Sequence, residues 1–169
     1  KGLDYEYLDA DGNEKAVHIY PIDFQDARHN TFWCVSQFSV IGKNKRRPDI
    51  IIYINGIPLV VFELKNWFNE NTTIAEAFNQ IQHYVKDIPQ LFEYNALTIV
   101  SDGNEAQHGM FNSTTEWYAA WKTINGVTIV DDDFQMHTMI MGLFPKERLL
   151  QYIKSFVFFE DHNGTLIKK

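Results

Sequence analysis

The chain has 169 residues, 45% of them apolar and 15% aromatic, which is enough to build a hydrophobic core and excludes an intrinsically disordered chain. A formal net charge of −7 argues against a protein that binds DNA on its own, because such proteins are usually basic. The single cysteine, Cys34, excludes an internal disulfide and a cysteine-based zinc site and favours a reducing cytoplasm. No run of 18 apolar residues occurs, so no membrane partner is expected.

The sequence pattern predicts a mixed α/β fold. Strands are expected at 3–8 and 15–20, around an Asp11-Gly12 turn, at 32–40, in a hairpin over 48–65, at 96–101 and at 156–159. A helix is expected over 73–87, where Thr73 and Glu76 form a capping box, and a second helix from Pro145 to about Phe156. Trp117 and Trp121, within 115–122, lie one helical turn apart. No repeat or long linker divides the chain, so residues 1–169 are interpreted as one domain.

Residues 48–65, PDIIIYINGIPLVVFELK, carry the strongest functional pattern. Two almost wholly apolar strands flank an Asn-Gly turn, and Asp49, Glu63 and Lys65 lie at the strand ends. Strands this apolar are typically central in a sheet. Charges at the ends of buried strands are more often functional than charges on a solvated edge. The alternative is a surface hairpin that ends in an ordinary Glu-Lys pair.

Two carboxylates and one ammonium at this point suit the hydrolysis of a phosphodiester. Mg²⁺ needs only one or two protein carboxylates, so Asp49 and Glu63 are candidate ligands, with the backbone carbonyl of Leu64 as a third. Lys65 can orient an attacking water and offset charge on the phosphate. This is the pattern of a PD-(D/E)xK nuclease core.

Strand register decides whether these side chains form a site. Glu63 and Lys65 share one face because side chains alternate along a strand. An ideal two-residue turn would pair Asp49 with Phe62, on the wrong face, whereas a three-residue loop would pair it with Val61, on the right one. The catalytic interpretation therefore predicts a bulge or an odd loop. Two carboxylates held close together should also raise the pKa of at least one of them.

Two further groups are candidates for positioning DNA. A basic run precedes Asp49 and is either a solvated loop or a phosphate clamp; it consists of Lys43, Lys45, Arg46 and Arg47. Gln80 and Tyr84 lie one turn apart on the 73–87 helix, on a flank of its apolar stripe rather than on its core face. They are either an ordinary boundary pair, or Gln80 orients a water or a metal-bound carboxylate while Tyr84 hydrogen-bonds a DNA phosphate.

These motifs and their surroundings resemble the N-terminal nuclease domain of the restriction (R) subunit of type I restriction–modification enzymes. The matching segments are IDFQDARHNTFWCVSQFSV, RRPDIIIYINGIPLVVFELKN, IAEAFNQIQHYVKDIPQLFEYNALTIVSDG and HGMF followed by EWYAAWKT. They span most of the chain in the family's order. The most specific strings are NGIPLVVFELKN and the QxxxY helix that runs into DIPQLFEYN.

The resemblance implies a restriction-endonuclease-like core, in which a central mixed sheet is flanked by helices. It implies Mg²⁺-dependent cleavage of double-stranded DNA by Asp49, Glu63 and Lys65. Gln80 and Tyr84 match a QxxxY motif like that of RecB-like nucleases, where it supports DNA binding and cleavage. The implied partners are methylation and specificity subunits, the latter setting the DNA target.

The resemblance also implies that this chain is one part of a larger subunit. Type I R subunits carry an ATP-driven motor, but no GxxxxGK[ST] phosphate loop occurs here, so ATP is expected only for motor domains outside the chain. The family's leading helix, with a further acidic residue for the site, is expected upstream.

Two other interpretations remain open. A catalytically silent DNA- or subunit-docking module of the same fold fits the net charge of −7, although it has no need for two carboxylates at buried strand ends. Another PD-(D/E)xK enzyme, such as a junction resolvase or a RecB-like exonuclease, fits the motif but not the long matching segments. The most informative observation is whether oxygens of Asp49 and Glu63 can reach one Mg²⁺ ion, as the nuclease interpretations require.

Overall fold

A six-stranded mixed sheet forms the centre of the fold in the computed structural model, which describes residues 2–66, 73–130, 134–162 and 165–168. The strands are β1 (Leu3–Leu8), β2 (Glu14–Ile19), β3 (Phe32–Ser36), β4 (Val40–Ile41), β5 (Lys45–Arg46), β6 (Ile50–Ile54), β7 (Ile57–Leu64), β8 (Leu97–Ser101), β9 (Ala106–Gly109), β10 (Ala119–Ala120), β11 (Phe159–His162) and β12 (Thr165–Lys168). The helices are α1 (Ile74–Asp87), α2 (Gln135–Leu143) and α3 (Lys146–Phe156).

The strand order in the central sheet is β10-β9-β8-β7-β6-β3. All neighbours are antiparallel except β7 and β8, which run parallel and are connected through α1. A parallel pair needs such a crossover, because a tight turn can join only antiparallel strands. The predicted mixed sheet flanked by helices is therefore confirmed, and β7 lies at its centre.

The two faces of the sheet bury separate hydrophobic clusters. One face packs against α2 and α3 and includes Val60 and Phe62 of β7. The other face packs against α1 and includes Ile51 and Val61. Side chains of β7 therefore alternate between the two layers, and Glu63 falls in the layer of Val61.

The β6–β7 hairpin closes through a two-residue turn. Asn55 and Gly56 have φ angles of 51° and 82°, the left-handed conformation that Asn-Gly pairs favour in hairpins. The amide of Thr31 donates to Oδ1 of Asn55 at 2.8 Å, which ties the turn to the start of β3. The turn therefore has the length that its sequence favours.

A bulge lies a few residues beyond the turn. Tyr53 pairs with Pro58 but Ile52 pairs with Val60, so Leu59 is an extra residue in β7. Leu59 and its neighbour Val60 both pack in the cluster under α2 and α3, as expected where strand alternation is interrupted. The predicted departure from ideal register is confirmed, but it lies within the strand and not in the loop.

The first hairpin and the edge strand β3 are exposed parts of the described fold. Every residue of β1 and β2 is exposed. Strand β3 is at one edge of the sheet and exposes Trp33 and Cys34. Within the described ranges, no helix is long and apolar enough to cross a membrane.

Four parts of the sequence-based layout need correction. The predicted strand 32–40 ends at Ser36, because Gln37 takes a left-handed φ of 52°. Residues 115–122 form a single 3₁₀ turn at Thr115–Trp117, and Ala119–Ala120 then pairs with β9 instead of continuing a helix. The last predicted strand, 156–159, begins only at Phe159. Strands β5, β9 and β12 and helix α2 were not predicted.

Candidate active site

Asp49, Glu63 and Lys65 come together at one end of the β6–β7 hairpin. Ile50 pairs with Phe62, so the next position outward on β6, Asp49, lies level with Glu63. The bulge at Leu59 produces this register, because without it Asp49 would face Phe62. Lys65 follows β7, and its amide donates to the carbonyl of Ser101 on β8 at 2.7 Å.

Glu63 is a buried carboxylate with two charged or polar partners. Its Oε1 accepts a hydrogen bond from Lys65 Nζ at 2.6 Å, and its Oε2 accepts one from the Tyr84 hydroxyl at 2.8 Å. Only 6% of its side chain is exposed, against 23% for Lys65. A buried carboxylate is costly unless it is paired, and here both oxygens are engaged.

Burial raises the pKa of Glu63, and the negative charge of Asp49 raises it further, while the hydrogen bonds from Lys65 and Tyr84 lower it. The predicted rise of at least one carboxylate pKa is therefore confirmed. Its main cause, however, is the loss of water around Glu63, and repulsion by Asp49 contributes less. Any cation placed beside these two carboxylates would favour the charged form of Glu63.

Asp49 is held by groups on two other segments. Its Oδ2 accepts from the backbone amide of Leu64 at 2.8 Å, and its Oδ1 accepts from Nε2 of Gln37 at 2.6 Å. The backbone amide of Gln37 also donates to the carbonyl of Asp49 at 2.9 Å. Sequence reasoning missed Gln37, because a glutamine after a strand carries no signal of its own; only the register of β3 on β6 brings it to Asp49.

Tyr84 lies on the buried face of α1, whereas the sequence pattern predicts a flank position. The buried stripe of α1 includes Ala77 and continues to Ile88, directly after the helix. The stripe is therefore rotated toward Tyr84, which is only 4% exposed and points its hydroxyl at Glu63. Gln80 is half-buried, as expected of a flank position.

The contact between Tyr84 and Glu63 determines what the phenol can do. Burial, followed by the hydrogen bond to Glu63, raises the pKa of Tyr84, while a side-chain hydrogen bond from Gln80 lowers it. A phenol is protonated at neutral pH even at its ordinary pKa of about 10, and the rise keeps it a donor to the Glu63 carboxylate at higher pH as well. In this structure the Tyr84 hydroxyl contacts Glu63, a proposed metal ligand, and its contact with a DNA phosphate stays a prediction.

The basic run before Asp49 divides into one anchored and three exposed side chains. Nε of Arg46 donates to Oδ2 of Asp87 at 2.6 Å, and Asn44 donates to the other oxygen at 2.8 Å. These contacts lower the pKa of Asp87. The other three members, Lys43, Lys45 and Arg47, are exposed. Arg46 therefore fixes the loop to the end of α1 rather than facing solvent.

The donor set suits a hard divalent cation that keeps several waters. Among the described residues, no group of three or more His, Cys, Asp and Glu side chains could hold a metal. Two carboxylates and a carbonyl are still enough for Mg²⁺, which is commonly held by one or two carboxylates with water completing its shell. Asp49 and Glu63 are close enough for the charge of one to raise the pKa of the other, and each keeps lone pairs beyond those used in the protein.

Similarity to known proteins identifies the family to which the chain belongs. The sequence model for the type I restriction enzyme R protein N terminus matches residues 1–117. The chain is 37% identical, over 99% of its length, to the type I restriction enzyme HindI endonuclease subunit of Haemophilus influenzae. It is 32% identical, over 92% of its length, to the putative type I restriction enzyme MjaIXP endonuclease subunit of Methanocaldococcus jannaschii. It spans only 16% and 17% of those two relatives. With a family match over well more than half of its residues, the chain belongs to the family of type I restriction enzyme R protein N termini.

Proposed function

We propose that this chain is the Mg²⁺-dependent endonuclease part of an ATP-dependent type I restriction enzyme, acting on double-stranded DNA in the cytoplasm. The observation that carries the proposal is the register of the β6–β7 hairpin. The Leu59 bulge puts Asp49 level with Glu63, and Lys65 contacts Glu63 at 2.6 Å. A bulge that aligns two carboxylates at the end of buried strands is a typical feature of an active site.

The proposed metal ligands are the carboxylates of Asp49 and Glu63, with the backbone carbonyl of Leu64. When bound, Mg²⁺ polarises a phosphoryl oxygen and acidifies a water. Asp49 contributes a carboxylate that is already oriented by the Leu64 amide. Glu63 contributes a poorly hydrated carboxylate whose charge is still disfavoured despite its contacts with Lys65 and Tyr84, so binding of the metal ion relieves an existing penalty.

Lys65 is the proposed group for orienting water and stabilising charge at the phosphate. Its ammonium forms an ion pair with Glu63, but the side chain stays partly exposed. Its flexible stem lets the ammonium turn toward a substrate. Tyr84, backed by Gln80, holds the second oxygen of Glu63. These neutral side chains therefore act on the proposed ligand rather than directly on DNA.

DNA would approach the site over the basic run. Lys43, Lys45 and Arg47 are exposed and can neutralise phosphates. Arg46 contributes by holding the loop in place through Asp87. Because the chain as a whole carries a net charge of −7, most of the DNA affinity would come from partner subunits that methylate or recognise DNA.

Cleavage by an assembled enzyme tests this proposal. Asp49→Ala, Glu63→Ala and Lys65→Ala should each reduce Mg²⁺-dependent DNA cleavage by about 100-fold or more, the scale typical of losing one preorganised group. ATP hydrolysis should persist, since the chain contains no phosphate loop. Lys154→Ala is the matched control, because Lys154 is an exposed lysine on α3, which covers the other face of the sheet.

The second candidate is the silent docking module, which the net charge of −7 favours. It predicts that the three site variants cleave DNA as well as the wild-type enzyme, because any cleavage would come from another nuclease in the assembly. Loss of cleavage in all three variants, with Lys154→Ala unaffected, excludes it.

A further inference from the structure

Gln37 occupies an unusual backbone conformation beside the proposed site. It follows β3 with a φ of 52°, and only one other non-glycine residue in the described ranges, Asn55, has a positive φ. Asn55 lies in a tight hairpin turn in which asparagine is common. Glutamine has no such preference, because its longer side chain does not stabilise the left-handed conformation locally. Something other than intrinsic preference therefore holds Gln37 there.

The contacts of Gln37 provide the reason. Its backbone amide donates to the carbonyl of Asp49 at 2.9 Å, and its side-chain Nε2 donates to Oδ1 of the same residue at 2.6 Å. One residue thus binds both the main chain and the carboxylate of Asp49. Regular pairing of β3 with β6 ends one residue earlier, at Ser36 and Ile50. The left-handed conformation at Gln37 then lets both its backbone amide and its side chain contact Asp49.

The direction of the amide follows from the chemistry of its acceptor. A carboxylate at neutral pH only accepts, so the NH₂ group of Gln37 must face Asp49 and its carbonyl must face away. The second carboxylate oxygen is held by the Leu64 amide, so two donors from two segments fix the carboxylate plane. Carboxylates that ligate metals are commonly oriented by hydrogen bonds of this kind.

We infer that Gln37 is a positioning residue, which accepts an unfavourable backbone conformation in order to orient the Asp49 carboxylate for a divalent metal. The inference rests on the proposed metal site and assigns Gln37 no contact with substrate. It implies that glycine, the residue with the least strained backbone at this position, is not the residue that best orients the metal ligand.

Gln37→Gly separates the two requirements. Glycine adopts a positive φ without strain, and this gain offsets its greater freedom in the unfolded chain, so the variant should melt at about the same temperature as the wild-type chain. It lacks the amide, so its affinity for Mn²⁺, used as the probe in isothermal titration, should fall by about 10- to 100-fold, the range typical of losing such a partner. A fall in affinity without a fall in melting temperature is not expected of a merely structural residue.

Two controls complete the experiment. Gln90→Ala removes another exposed glutamine amide, which donates to the carbonyl of Ile41 at 2.9 Å, and should leave Mn²⁺ affinity unchanged. Gln37→Asn is measured in parallel, because asparagine tolerates a positive φ but is one methylene shorter. It should also bind Mn²⁺ more weakly, and it keeps the test decisive if the glycine variant does not fold.

The outcomes distinguish the inference from the proposed function. If the wild-type chain binds Mn²⁺, Asp49→Ala does not, and both Gln37 variants bind as tightly as wild type, the metal site stands and the role of Gln37 is refuted. If the wild-type chain binds no Mn²⁺, or Asp49→Ala binds it equally well, the proposed function fails and the inference fails with it. Weaker binding by the Gln37 variants alone, with Gln90→Ala unchanged, supports both.

Discussion

A single buried carboxylate, Glu63, is the point at which stability and proposed chemistry conflict. Its charge is poorly hydrated, and its pKa is raised by burial even though Lys65 and Tyr84 both stabilise the charged form. The same loss of water strengthens any interaction with a cation, because electrostatic forces grow as the local dielectric falls. The Glu-x-Lys spacing is enough to assign Lys65 to this site, but the partnership with Tyr84 depends on packing between α1 and β7 and could not be deduced from local sequence.

The raised pKa of Glu63 predicts a specific dependence of stability on pH without metal. A carboxyl whose pKa is raised in the folded state stabilises the fold when protonated, and this contribution is lost as pH rises from about 4.5 through the raised pKa. Glu63→Gln cannot ionise. Its melting temperature minus that of wild type, measured in EDTA, should therefore increase between pH 4 and pH 7, by roughly 2–4 °C for each kcal/mol of penalty. A difference that stays constant over this range would show that the buried charge costs nothing.

Tyr84→Phe should weaken metal binding as well as cleavage. The change removes the donor to Glu63 Oε2 while keeping the ring in the core. A hydrogen bond to a charged group contributes about 1.5–3 kcal/mol, so the melting temperature should fall by several degrees and Mn²⁺ affinity should fall with it. Tyr118→Phe is the matched control, because it removes a buried hydroxyl that bonds Thr98. The control should melt earlier but bind Mn²⁺ normally; equal loss of affinity in both variants would reduce Tyr84 to a packing residue.

At the scale of elements, the extra residue Leu59 in β7 determines the geometry of the site. Its existence could be deduced from function, since only a departure from ideal register puts Asp49 and Glu63 on one face. Its position could not, because Asn-Gly specifies a two-residue turn and Leu59 is one of several apolar residues in a row. In this sequence, both carboxylates can lie on one face only if the hairpin contains one extra residue. Packing in the cluster under α2 and α3 determines where that residue lies.

Deleting Leu59 should leave Mn²⁺ binding intact, because removal of the extra residue gives a hairpin without a bulge in which Ile52 still pairs with Val60 and Asp49 still lies level with Glu63. Leu59→Ala is the control for lost packing, with an expected cost of about 2–5 kcal/mol and an intact metal site. Deleting Val60 together with Leu59 shifts the pairing by one residue, so Asp49 lies level with Leu64 and the two carboxylates lie on opposite faces. This double deletion should abolish Mn²⁺ binding, and binding retained by a folded double-deletion protein would contradict the role assigned to the register.

The elements that were missed share a cause in tertiary packing. Helix α2, QMHTMIMGL, is apolar on several sides and contains Gly142, so it shows no clear helical stripe. The glycine is needed because a side chain there would collide with Trp121 and the carbonyl of Thr123. Likewise, the helical spacing of Trp117 and Trp121 was misleading. Tyr118 between them packs against Gly109 and bonds Thr98, which draws the segment into the sheet instead.

At the scale of the whole molecule, the two faces of the central sheet differ in what they carry. Both faces bury an apolar cluster, but only the face under α1 also carries, at its end, the proposed site. Sequence reasoning could assign the family and the central hairpin, because both depend on contiguous strings. It could not assign which helix covers which face, since that depends on contacts between residues far apart in the chain.

Mg²⁺ should therefore stabilise the entire domain through one end of this sheet. A ligand that binds only the folded state adds about 2.7 kcal/mol at 100 times its Kd, so wild type should melt several degrees higher in saturating Mg²⁺ than in EDTA. Glu63→Ala should show no such increase, while Lys154→Ala should respond like wild type. An equal increase in wild type and Glu63→Ala would place the bound ion elsewhere.

The exposed edge formed by β3 has a practical consequence for handling the protein. Among the described strands of the central sheet, β3 has a neighbour on one side only, so its free backbone groups can pair with a strand from another molecule. Cys34 sits on that edge as an exposed thiol. Oxidation can lock such an edge-to-edge encounter into a covalent dimer, turning a reversible contact into a route to aggregation. Reductant, or a Cys34→Ser chain, is therefore part of any reliable measurement at high protein concentration.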